Sequence, residues 1–149
     1  MIEEFEELSA EEREILYKAP VLVSVLASCS GDAVNDLQKA DAIALAHLKT
    51  YTADPLLLDY YKEVERVFKQ QFESTVKKYT PFGDLQRAAL KQEMSKTNRV
   101  IGKLDKKFAY RLHRSLEKYG THVKRADHSI FEDFLFPIPI PGLTDFQTN

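Results

Sequence analysis

The sequence predicts an all-α protein: one compact helical bundle of about five to seven helices, followed by an extended, Pro-rich C-terminal tail. Three observations lead there. Apolar residues recur at the three-or-four spacing of a helix face in one segment after another. Residues that close and open helices separate those segments, at Gly31, Asp54-Pro55 and Pro81-Phe82-Gly83. No segment alternates apolar with polar residues as a half-buried strand would. A chain of 149 residues fits a single domain, and at this size folding buries roughly two-thirds of the unfolded surface, so neither disulfides nor a structural metal are required. The helical core is expected over residues 9–136 and the tail over 137–149.

The elements follow in order. Ser9 and Glu12 form an S-x-x-E capping box, so a helix starts there. Its face of Ile15, Leu16, Ala19, Leu22, Val23 and Leu26 continues to about Cys29, with a kink or break expected near residue 18 because Pro20 removes a donor and crowds the Leu16 carbonyl. Gly31 closes this helix and Asn35 or Asp36 caps the next, which is expected to bury Leu37, Ala40, Ala44, Leu48 and Tyr51. Asp54 caps a third, with Pro55 at its first position and Leu57, Tyr61, Val64, Phe68, Phe72, Val76 and Tyr79 on one face. After the turn at Thr80–Asp84 a fourth helix runs through Leu85, Ala88, Ala89 and Gln92. A fifth, whose junction with the fourth falls near Gly102, carries Ile101, Leu104, Phe108, Leu112, Ser115, Leu116, Tyr119 and Val123. A short helix over Asp127–Phe136 precedes Pro137-Ile138-Pro139-Ile140-Pro141, which can only be extended chain.

The start is acidic where a secretory leader is basic, and the single cysteine, Cys29, has no partner in the chain, so a cytoplasmic, reducing setting is expected. The longest apolar run, Ala19 to Ala27, is about half of the ~20 residues that span a bilayer. Net charge is −2, but it is unevenly placed: −8 over residues 1–61, +10 over 62–125 and −4 over 126–149.

No dinucleotide or phosphate loop, zinc-protease helix, paired-cysteine motif or serine-hydrolase elbow is present, so no catalytic residue is assigned. Asp32, Asn35, Asp36 and Asp41 gather oxygen donors between one helix end and the next start, which suits a hard divalent cation; otherwise they serve as caps. His128 and Glu132, with His122 nearby, offer a second metal arrangement against a plain surface pair. His47 reads as a satisfied boundary residue and His113 as solvated. Apart from such a metal, no cofactor is implied.

The fifth helix sets Lys96, Arg99, Lys103, Lys106, Lys107, Arg114 and Lys118 opposite its apolar face, a basic stripe able to meet an acidic protein, anionic headgroups or nucleic-acid phosphates. No aromatic residues interleave it, which weakens single-strand binding. Phe136, Ile138 and Ile140 make the terminus apolar; the tail either packs back on the bundle or docks on another chain, of which a homodimer is the simplest form.

The apolar helix carrying Ala19, Leu22, Leu26 and Ala27, followed by Ser30-Gly31-Asp32-Ala33-Val34 and a helix from about Asp36, resembles the TerB-like, tellurite-resistance-type helical domain over residues 12–75. Ser30 stands where that family usually has Asp, and Gln38 where it has Glu. The resemblance implies a compact bundle working as an adaptor or sensor near membranes or stress-response complexes, without catalysis. The expected function is therefore a binding module acting through protein contacts, with Lys103, Lys107, Arg114 and Lys118 and the apolar tail as surfaces. A metal-dependent role for the 31–41 loop is the alternative, and binding of nucleic acid or anionic lipid by the basic face ranks last.

Overall fold

Glu12 donates its backbone N–H to Ser9 Oγ at 3.1 Å while Ser9 donates its own to Glu12 Oε1 at 2.9 Å, closing the expected capping box. It opens α1 (Ala10–Ser28) in the computed structural model, which describes residues 2–28 and 36–123. α2 (Asp36–Thr52), α3 (Leu58–Tyr79), α4 (Asp84–Ile101) and α5 (Lys106–Val123) follow, with 3-10 turns at Glu3–Phe5 and Pro55–Leu57. Among the described residues there is no strand, so the protein is all-α. The expected helix over 127–136 and the tail over 137–149 lie outside them. No described helix is long and apolar enough to cross a membrane.

α1 is the central helix. It packs on α3, α4 and α5 at once, and residues 19–27 are buried without interruption, as expected of a helix that is apolar all round. Of the kink or break expected near residue 18, the break does not occur: α1 continues through Pro20. Proline removes the N–H that would have met the Leu16 carbonyl, and the Tyr60 hydroxyl of α3 donates to that carbonyl instead, at 2.6 Å. The orphaned acceptor is thus satisfied inside the core by a residue from another helix. One turn on, Ser24 Oγ donates to the Pro20 carbonyl at 2.7 Å.

α3 buries Tyr60, Tyr61, Val64, Phe68, Phe72 and Tyr79, and α5 buries Phe108, Leu112, Leu116 and Tyr119. The aromatic rings interlock, Phe5 standing edge-on to Tyr60 and Phe108, and Tyr61 stacking on Tyr119 with centroids 6.4 Å apart.

The buried face expected for α2 is wrong at the four residues whose side chains are described; that of Leu37 lies outside the described residues. Ala40 and Ala44 are exposed, Leu48 and Tyr51 are 45% and 62% exposed, and Ala42, Leu45, Ala46 and Ala53 are buried instead. Small residues turned toward α3 and α5 let the backbone come close enough for Tyr119 Oη to donate to the Ala42 carbonyl at 2.8 Å. Lys39 pairs with Glu73 at 3.1 Å, and His47 pairs with Glu65, both across to α3.

At the next corner the Asp54 carboxylate accepts from the Leu56 N–H at 2.9 Å, with Pro55 at the first position of the 3-10 turn that leads into α3. α4 ends at Ile101, and Asp105 Oδ2 accepts from the Lys107 and Phe108 amides at 3.1 and 3.4 Å to start α5. These two corners place the ends of α2 and α5 beside each other.

Candidate functional site

α5 sets Lys107, Arg111, Arg114 and Lys118 at i, i+4, i+7 and i+11, which at about 100° per residue puts them within about 60° of one another round the axis. This row lies about 110° round from the buried row of Phe108, Leu112, Ser115, Leu116 and Tyr119, so it flanks the core instead of opposing it. There it meets the C-terminal turn of α2 and the Asp54 corner. Together they line a concavity of about 620 Å³, with Lys49 and Thr52 from α2, Asp54 and Leu57 from the corner, and Lys107, Tyr110, Arg111, Arg114, Ser115 and Lys118 from α5.

The electrostatics are lopsided. Five cations line the concavity against the single carboxylate of Asp54. Asp54 is committed, since it caps the corner through Leu56 and forms an ion pair with Arg111. The Leu56 amide, and after it the Arg111 guanidinium, hold its carboxyl below the usual range. Arg111 is thereby held in place by the scaffold. Arg114 lies over the Tyr110 ring, 5.8 Å from its centroid, and donates to Tyr110 Oη at 3.1 Å.

Lys49 is half-buried, its ammonium 5.9 Å from the centroid of Tyr61. Burial, and then the charge of Lys118, lowers its affinity for its proton. Among the described residues neither Lys49, Lys107 nor Lys118 forms an ion pair. Beneath them Tyr61 and Ser115 hydrogen-bond through their hydroxyls, fixing the floor.

Of the residues expected to form a binding surface, Lys107, Arg114 and Lys118 come together here. Lys103 does not. It sits in the turn after α4 and reaches back to Glu12 of α1, so part of the acidic and basic charge is neutralised within the molecule. The seven-residue stripe placed on one helix is divided: Lys96 and Arg99 belong to α4, and Lys106 lies about 110° round α5 from the row, on the side away from the buried face. His113, expected to be solvated, is 5% exposed, with Nδ1 3.1 Å from Glu117. His47 is satisfied by Glu65 but exposed. Lys49, Asp54 and Arg111 are the residues that sequence reasoning missed. Arg111 was within reach, being i+4 from Lys107 and three before Arg114.

Asp32, Asn35, His128, Glu132, Phe136, Ile138 and Ile140 lie outside the described residues; Asp36 and Asp41 are on α2. Among the described residues no three His, Cys, Asp or Glu side chains gather as a metal site.

The fold and the site together define a helical bundle with a strongly basic concavity at the ends of α2 and α5. No protein-family model, curated protein or solved structure matches the chain.

Proposed function

We propose that this protein is a non-enzymatic helical binding module, of the TerB-like kind suggested by residues 12–75, that engages an anionic partner through the concavity between α2 and α5. The supporting observation is the gathering of Lys49, Lys107, Arg111, Arg114 and Lys118 around a single, already committed carboxylate, in a chain whose net charge is −2. Such a concentration raises the local potential far above what net charge would give. Asp54, tied to Leu56 and Arg111, is poorly placed to act as a general base, which favours binding over chemistry.

Retention on immobilised heparin tests this reading, with a Lys107→Glu/Lys118→Glu double variant compared against Lys69→Glu/Lys77→Glu on exposed positions of α3. The two variants have equal net charge. The α5 pair should elute at clearly lower salt than the α3 pair, because bound polyanions release counterions only where cations contact them. Equal elution would refute a localised site.

A further inference from the structure

We propose that the concavity takes a compact ligand bearing two or more clustered phosphoryl groups, an assignment that rests on reading this concavity as the binding site. Shape separates such a ligand from a polymer. The cavity, at about 620 Å³, falls within the roughly 300–1,000 Å³ of small-molecule sites. The basic row does not extend into a track, because Lys103 is bound to Glu12 and Lys106 is offset about 110° round the helix from the row.

Charge gives the number of groups. Five cations less Asp54 leave an excess of four positive charges, and a phosphoryl group carries roughly −1.5 to −2 near neutral pH. Two such groups balance the site, whereas one carboxylate leaves most of it uncompensated. Arg111 is anchored by Asp54 through Nη1, which leaves other N–H groups of its planar fork for a phosphoryl oxygen. Lys49 is held half out of water beside Lys118 without a carboxylate to pair with. A phosphoryl dianion would offset both the desolvation and the repulsion. The clustered phosphoryl groups could come from a soluble ligand or from a lipid headgroup, and both present the same chemistry to these residues.

Calorimetric titration of the full chain decides, using pyrophosphate, inositol hexakisphosphate, and phosphatidylcholine vesicles with and without a few percent phosphatidylinositol bisphosphate. The expected result is saturable one-to-one binding of a soluble probe, weakened about tenfold or more by Lys49→Gln and separately by Lys107→Gln, the loss of one charge-assisted contact. Lys103→Gln should leave it unchanged, and thermal melting monitored by circular dichroism confirms that each variant is folded. Vesicle binding that needs the bisphosphate lipid and both lysines would assign the headgroup as the source; inert vesicles would assign a soluble one. Absence of saturable binding to every probe, or equal weakening by Lys103→Gln, would overturn the assignment. If heparin retention still depended on Lys107 and Lys118, only the ligand class would fall; without that dependence the site itself would fall.

Discussion

The two long faces of α5 follow different physics. On one, Phe108, Leu112, Leu116 and Tyr119 are fully buried, and the hydroxyls there have partners, Tyr61 with Ser115 and Tyr119 with the Ala42 carbonyl. On the other, Lys107, Arg111, Arg114 and Lys118 stand one helical turn apart in sequence, each neighbouring pair of like charges costing about 0.2–0.5 kcal/mol. Folding accounts for every group on the first face. It accounts for little on the second, where only Arg111 has a carboxylate partner among the described residues. A row that mildly opposes stability while lining a concavity is the pattern expected of a binding surface.

The largest effect should come from ionising the buried side. Burial raises the phenol pKa of Tyr60, Tyr61 and Tyr119. A phenol protected in the fold contributes fully below its unfolded value near 10, and its contribution is lost as pH rises above it. With three such groups, each at about 1.4 kcal/mol per pH unit, stability should fall by about 4 kcal/mol per unit above pH ~10. Absorbance of the phenolates should rise in two phases, the buried three appearing only in the second, on unfolding. One phase centred near 10 would break the contrast between the faces.

A smaller effect isolates one core hydrogen bond. Tyr60→Phe leaves the Leu16 carbonyl without the donor that replaces the missing Pro20 N–H, and should destabilise by about 1–3 kcal/mol in urea unfolding. In a Pro20→Ala background, where the helical N–H returns, the same change should cost clearly less. Equal costs in both backgrounds would detach Tyr60 from Pro20.

Asp54→Ala should separate the two faces most sharply. Loss of the cap should cost about 1 kcal/mol, while removal of the concavity's carboxylate should increase heparin retention. Because the folded-state pKa of Asp54 is lowered, its contribution is present above the ordinary carboxyl value and is lost as pH falls. The stability difference from wild type should therefore shrink below pH ~4. A variant that is both less stable and less retained would contradict the division.

Much of this was legible in the sequence, and the misses share a cause. The buried rows Tyr61, Val64, Phe68 and Phe72 of α3 and Phe108, Leu112, Leu116 and Tyr119 of α5 were legible because large apolar residues sit at helical spacing. The start of α5 was not: Lys96, Arg99 and Ile101 belong to α4, and the cationic row flanks the buried one instead of opposing it. α2 was read on the wrong face because Ala40, Ala42, Ala44 and Ala46 carry almost no signal of their own; its register is set by α3 and by Tyr119 reaching Ala42. Pro20 was read as a kink or break because local rules count only the lost N–H, and the compensating hydroxyl is 44 residues from Leu16. The concavity was half visible: Lys107, Arg114 and Lys118 follow from periodicity, but Lys49 comes from another helix, and Asp54 lies 57 residues from the Arg111 it holds. Such pairings belong to tertiary structure.

The most direct test of the division is a ¹⁵N–¹H correlation titration of the wild-type protein with a heparin-derived hexasaccharide. Shifts concentrated at residues 49–57 and 107–118 would agree with a single anion site at the ends of α2 and α5. Shifts spread over the exposed lysines of α3, or centred on Lys96 and Arg99 of α4, would contradict it.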